Sequence, residues 1–165
     1  MTDSEIATLA VEVGVRLAAR GAMAATAESC TGGLVAGAIT AIPGSSGWFD
    51  RGFVTYSNEA KIELLGVDPG TLARHGAVSE ATAQAMAEGA LRASRANLTV
   101  AVTGVAGPTG GSAAKPVGMV CFAWAMRGGP TTAATHYFDG DRQAVRRASV
   151  IVSLQGLIAR IGPAQ

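Results

Sequence analysis

Residues 98–103 read Leu-Thr-Val-Ala-Val-Thr, a short apolar run without the alternation of a half-exposed strand. A strand with one face in water alternates apolar and polar side chains, whereas a continuous run suits a central strand covered on both faces. Covering both faces takes helices on either side of a sheet, so this one segment already favours a layered α/β architecture.

The flanking segments agree. Residues 3–20 place Ile6, Leu9, Ala10, Val13 and Leu17 on one helical face, with Glu5, Glu12 and Arg16 opposite and Gly21 as the stop. Residues 22–28 read as a short buried strand, and a small-residue helix follows the turn at 29–33, ending near Ile42 before Pro43-Gly44. A strand is expected over 49–56. A short helix with Asn58 as its N-cap covers 58–65, and a helical piece runs from the Asp68-Pro69-Gly70 turn to Gly76. Ser79 caps a helix whose inner stripe is Ala83, Met86, Ala87, Ala90 and Leu91. Strands near 118–126 and 132–138 flank Gly128-Gly129-Pro130, a hairpin signal. The last helix, about 141–160, is expected to turn Ala144, Ala148, Ile151, Leu154 and Ile158 inward, with Arg142, Arg146, Ser149, Ser153 and Arg160 outward. This order predicts a three-layer α/β/α sandwich with a mixed, mostly parallel sheet, a single domain over residues 1–165.

Composition shows how such layers pack. Gly supplies 22 residues and Ala 33, so 55 of 165 positions carry almost no side chain. Charged residues are 15% of the chain, hydrophobic residues 48%, and the net charge is +1. That balance excludes a disordered chain, a coiled coil and a strongly basic nucleic-acid arm. The N-terminus lacks the basic segment of a signal peptide, and the apolar stretches fall far short of the roughly 20 residues that span a bilayer. Cys30 and Cys121 make no disulfide framework, and no Cys/His cluster has zinc-ligand spacing. The expectation is a cytoplasmic protein without metal, membrane or nucleic-acid partner.

Against this plain background the reactive groups stand out. Ser29 sits where a strand ends and a glycine-containing turn opens a helix, which sets a hydroxyl beside free backbone N–H groups. The motif is neither the G-x-S-x-G elbow nor Ser-x-x-Lys, and Ser29 or Thr31 acting as a plain helix cap is the alternative. A serine nucleophile needs a base. His75 and His136 lie in a short helical piece and a strand pattern, which suits structural or solvated roles better. Of the 13 basic residues 11 are Arg, leaving only Lys61 and Lys115 as lysines. Lysine serves as a base when neutral. At its ordinary pKa only about 0.04% is neutral at pH 7, so burial or a nearby positive charge is required. Pairing with Glu59 or Glu63 on the surface is the alternative for Lys61, while Tyr56 is placed to hydrogen-bond it or relay its proton.

The segment 104–118 holds five Gly and two Pro, and a loop this long inside a compact domain is usually functional. It offers N–H groups and hydroxyls to a phosphate, with Lys115 to add charge, but matches neither the P-loop nor G-x-G-x-x-G. Arg142, Arg146 and Arg147 after Asp141 suit a phosphate or carboxylate as well as they suit a solvated helix face.

Together these segments resemble the CinA C-terminal domain family. The likeness rests on Ala27-Glu28-Ser29-Cys30-Thr31-Gly32-Gly33, Thr55-Tyr56-Ser57-Asn58-Glu59-Ala60-Lys61, and Thr103 through Gly111. Lys115-Pro116-Val117-Gly118 and Gly140-Asp141-Arg142 complete it, in the same order and spanning about residues 5–160. Ser112-Ala113-Ala114 is plainer than the family's usual stretch before Lys115. The resemblance implies a metal- and cofactor-free amidohydrolase that converts nicotinamide mononucleotide to nicotinate mononucleotide and ammonia. It implies Ser29 as nucleophile, Lys61 as base and Tyr56 assisting, with oxyanion donors among the backbone N–H groups of Cys30, Thr31, Gly32 and Gly33. The substrate would be held by Asn58, Thr103, Gly104, Gly107, Thr109, Gly110, Gly111 and Arg142, and the protein would form a homodimer or higher homo-oligomer. Many members carry a further N-terminal nucleotide-processing domain, for which 165 residues leave no room. A non-catalytic nucleotide- or partner-binding domain is the alternative within the same family.

Overall fold

The computed structural model describes residues 2–163. In chain order the elements are α1 (Thr2–Ala19), β1 (Ala24–Glu28), α2 (Leu34–Thr40), β2 (Phe49–Val54) and α3 (Asn58–Leu65). There follow α4 (Pro69–His75), α5 (Glu80–Arg92), β3 (Leu98–Gly104), β4 (Met119–Met126), β5 (Thr131–Tyr137) and α6 (Arg142–Ile161). The five strands form one sheet in the order β2-β1-β3-β4-β5. β1 pairs parallel with β2 and β3, and β4 pairs antiparallel with β3 and β5, so β4 alone runs against the rest. The expected α/β/α sandwich with a mixed sheet is the fold that forms.

The apolar run at 98–103 is the central strand β3, buried throughout up to Gly104. Its side chains divide between two unlike cores. On one face Leu98, Val100, Val102, Phe122 and Trp124 meet α1, α2 and α6 through Val13, Leu17, Val35, Ile39, Leu154 and Leu157. On the other, Ala27, Ala101, Ala123 and Ala125 meet Ala83, Met86, Ala87 and Ala90 of α5, with Leu65 at the end of α3. Alanine facing alanine lets α5 settle close on the sheet. Thr99 Oγ1 in β3 donates directly to the Ala87 carbonyl of α5 at 2.7 Å.

Gly89 is the tightest of these approaches. A Cβ there would lie 2.0 Å from the Leu65 carbonyl oxygen, which is backbone and cannot swing aside. Overpacking of this kind costs about 3 kcal/mol, and the gain in helix propensity from glycine to alanine returns only about 1 kcal/mol. Gly89→Ala is therefore expected to destabilise the protein by about 2 kcal/mol, read as a drop of roughly 4–8 °C in the thermal midpoint.

Two expectations are corrected. α6 is rotated from the anticipated stripe: Val145, Ser149, Val150, Ser153, Leu154, Gly156 and Leu157 are buried, whereas Ala144 is exposed and Ala148, Ile151 and Ile158 are intermediate. The two serines go inward because each hydroxyl bonds back to its own helix. Ser149 Oγ donates to the Val145 carbonyl and Ser153 Oγ to the Ser149 carbonyl, both at 2.7 Å, which removes the penalty of burying them. Gly156 makes room for the Trp124 ring, which a Cβ would meet at 2.1 Å. The N-cap of α3 is Ser57, whose hydroxyl accepts from the Ala60 N–H; Asn58 is the first residue inside the helix.

Candidate active site

The parallel strands β2, β1 and β3 end side by side. From β1 the chain turns toward the α2 face, and from β2 toward the α3 face. The crevice at the carboxyl ends of such strands is where ligands bind in open α/β sheets. Here it holds a cavity of about 250 Å³ lined among others by Ser29, Cys30, Tyr56, Lys61, Thr103 and Arg142. A larger, mainly apolar groove between α1, α2 and α6 is lined by no hydroxyl, thiol, imidazole or lysine, and its one carboxylate, Asp3, is ion-paired with Arg147.

Ser29 directly follows β1, and its N–H donates to Val102 O at 2.9 Å, fixing it between strands. Neither Ser29 nor Thr31 caps α2. The N-cap position is Gly33, and the side chain that caps the helix end is that of Glu28, the last residue of β1 and fully buried. Its Oε1 accepts from Thr31 Oγ1 at 2.6 Å, Gly33 N at 3.2 Å and Val35 N at 2.9 Å, and its Oε2 from Ala36 N at 2.9 Å. A carboxylate at a helix N-terminus satisfies donors that would otherwise be orphaned and meets the positive end of the helix dipole. With the cap supplied by Glu28, the Ser29 hydroxyl is released for other work. Gly32 and Gly33 turn the chain with φ of 56° and 104°, in the left-handed region that favours glycine.

Lys61, on the first turn of α3, is 1% exposed. Its Nζ lies 3.1 Å from Ser29 Oγ, 2.9 Å from the Thr55 carbonyl oxygen and 3.4 Å from that of Tyr56. Burial holds its pKa below the ordinary lysine value. A neutral amine has two hydrogens and one lone pair. In that form the two carbonyls can take the hydrogens, and the lone pair can accept from the Ser29 O–H. The surface pairing with Glu59 or Glu63 does not form. The neighbouring Cys30 thiol is pushed up to about 12 by burial, so it stays protonated and does not compete as a nucleophile.

The expected hydrogen bond between the Tyr56 hydroxyl and Lys61 is replaced by one from the main chain. Lys61 meets the Tyr56 carbonyl, while the hydroxyl of this 64% exposed side chain accepts from Arg142 Nη2 at 3.3 Å. Arg142 also donates to Gly107 O at 2.8 Å, so it lines the cavity of its own chain. Thr103 and Gly104 line the same cavity, and Thr103 Oγ1 donates to Ala77 O at 2.8 Å. Asn58, Thr109, Gly110 and Gly111 are exposed and do not line it. Lys115 is bound to the His75 carbonyl at the end of α4, which takes its charge away from the loop. The arginine cluster divides: Arg142 faces the cavity, Arg146 donates to Cys30 O and Thr31 O, and Arg147 pairs with Asp3 at 2.8 Å. Among the described residues no group of His, Cys, Asp or Glu is arranged to hold a metal ion, and no helix is long and apolar enough to cross a membrane.

Sequence reasoning missed Glu28 and the clamp made by Arg146. The one available signal was an acid closing an otherwise apolar buried strand, since an unpaired charge is not buried without donors.

The chain is similar to known proteins along nearly its whole length. The chain is 57% identical over 157 residues to the nicotinamide-nucleotide amidohydrolase PncC of Escherichia coli (strain K12), covering 95% of each. It is 52% identical over 153 residues to that of Pseudomonas putida, covering 93% of this chain and 95% of the relative. The crystal structure of a competence/damage inducible protein from Agrobacterium tumefaciens superposes with a TM-score of 0.92 at 52% identity, over 94% of both chains. The model of the CinA C-terminal domain matches residues 6–161, from α1 to the end of α6 and across every segment that builds the cavity, and the chain belongs to that family.

Proposed function

We propose that this protein is an amidohydrolase that converts nicotinamide mononucleotide to nicotinate mononucleotide and ammonia, as a cytoplasmic homo-oligomer. The observation that carries the reading is the 3.1 Å contact between a buried lysine amine and the Ser29 hydroxyl. Identity above 50% to amidohydrolases over nearly the whole chain supports it. Ser29 Oγ attacks the carboxamide carbon while its proton passes to Lys61 Nζ. The oxyanion settles on backbone donors. Of the four N–H groups in the turn, Gly32 donates to Ser29 O and Gly33 to Glu28. Cys30 and Thr31 remain, and no protein oxygen accepts from either among the described residues. When the tetrahedral adduct collapses, the carbon–nitrogen bond breaks and Lys61 returns the proton, so that ammonia leaves. Water then adds to the acyl-serine ester, with Lys61 again taking a proton. The carboxylate product departs and the Ser29 hydroxyl is restored.

Arg142 and Tyr56 at the mouth of the cavity suit the phosphate and ribose of the substrate. A contact of this charge-assisted kind contributes about 1.5–3 kcal/mol, so Arg142→Ala is expected to raise KM by roughly 10- to 100-fold with a smaller change in kcat. The direct test of the function is ammonia release from nicotinamide mononucleotide by the purified protein. Absence of release above the no-enzyme background overturns the proposal.

A further inference from the structure

Arg146 lies outside the cavity lined by Ser29 and Lys61, yet it holds two carbonyls of the Ser29 turn at once. Its Nε donates to Cys30 O at 3.1 Å and its Nη2 to Thr31 O at 3.2 Å. In a trans peptide unit the C=O and the following N–H point in opposite directions. Fixing Cys30 O toward Arg146 therefore fixes the Thr31 N–H away from it. The same rule acts one unit earlier. Ser29 O accepts from Gly32 N at 3.0 Å, which turns the Cys30 N–H away from the interior of the turn. These are the two N–H groups from which no protein oxygen accepts among the described residues. On the other side of the turn, Glu28 binds Gly33 N, Val35 N and Ala36 N. The turn is thus gripped by its carbonyls from α6 and by its later N–H groups from β1.

We infer that Arg146 is a positioning residue for the reaction: by holding Cys30 O it aims the Thr31 N–H at the oxyanion, and by holding Thr31 O it steadies the Gly32 N–H that fixes Ser29 O behind the Cys30 N–H. It touches neither the nucleophile nor the base. The inference rests on the amidohydrolase reading above. It goes against the expectation that Arg146 joins a phosphate-binding cluster. A donor that counts only once the oxyanion has formed affects kcat and leaves substrate binding alone. Losing an oxyanion donor outright costs about 10²–10³-fold in kcat, and loosening its aim costs less.

The test is steady-state ammonia release from nicotinamide mononucleotide by wild type, Arg146→Gln, Arg146→Lys and Arg146→Ala, with thermal midpoints measured alongside. Arg146→Gln is expected to lose roughly 10- to 100-fold in kcat with KM within about twofold of wild type. Arg146→Lys, whose ammonium lacks the planar fork that reaches both carbonyls, is expected to fall between the two. Millimolar guanidinium is expected to restore part of the kcat of Arg146→Ala, an effect that a loss of general stability does not produce. An unchanged kcat in Arg146→Gln overturns the inference. So does a rise in KM alone, which makes Arg146 a substrate-binding residue, or a loss in Arg146→Ala that guanidinium does not relieve. If Arg146→Gln and Arg146→Ala do not fold, a wild-type kcat in Arg146→Lys overturns it. If wild type itself releases no ammonia, the functional reading falls and takes this inference with it. An active wild type with indifferent Arg146 variants removes the inference alone.

Discussion

Ser29→Ala is expected to lower ammonia release by about 10⁴- to 10⁶-fold while leaving substrate binding and the fold in place. The size follows from what is removed: without Oγ no covalent intermediate forms, and only water positioned by the remaining donors is left to attack. The fold survives because Ser29 is held by its backbone, through Val102 O and the Gly32 N–H, and because the capping of α2 rests on Glu28. Calorimetric titration with nicotinamide mononucleotide checks binding, and a coupled ammonia assay checks turnover. A variant that kept a tenth of the wild-type rate would exclude Ser29 as the nucleophile.

Lys61→Met is expected to cut turnover by about 10²- to 10⁴-fold, the usual worth of a general base, without making the protein less stable at neutral pH. Lys61 is among the largest of the fully buried side chains, and methionine keeps its unbranched shape without an ammonium to desolvate. The pH dependence has a defined sign. The folded-state pKa of Lys61 lies below the ordinary lysine value of 10.5, which applies to the unfolded chain. Between those two values the unfolded state binds more protons than the folded state, so wild-type stability rises with pH across that window. The rate rises over the acid limb for the same reason, as the amine becomes neutral. Lys61→Met loses both effects. Thermal midpoints and kcat/KM profiles from pH 6 to 10 measure them. A wild-type acid limb preserved in Lys61→Met would assign the titration to another group.

Much of the architecture could be read along the chain because its cause is local. The α3 span 58–65 and the central strand are set by helix ends, turns and hydrophobic period, which neighbouring residues fix among themselves. The Ser79 cap was legible for the same reason. The α6 stripe was not. Two serines and a glycine face inward there because hydroxyls that bond their own helix lose their polarity, and because one tryptophan from β4 needs space. Residue type alone carries neither fact.

The candidate site divides along the same line. Scarcity marked Lys61, and the strand–turn–helix pattern marked Ser29, before any distance was known. Their separation of 32 residues says nothing about the 3.1 Å between Nζ and Oγ. That contact exists because β1 and β2 run parallel as neighbours, so that the segments leaving their carboxyl ends start side by side. The lowered pKa of Lys61 has the same origin, since burial is a property of the assembled layers. Glu28, Arg146 and the main-chain partners of Lys61 act through backbone groups, which are the same in every sequence and gain meaning only from where they point. By itself the sequence determined the layered fold and which side chains can do chemistry, because periodicity, turn chemistry and residue type are local properties. The tertiary structure alone decided which of them meet, what protonation they favour and where the free N–H groups aim, because distance, desolvation and peptide orientation are set by the packing of segments far apart in the chain.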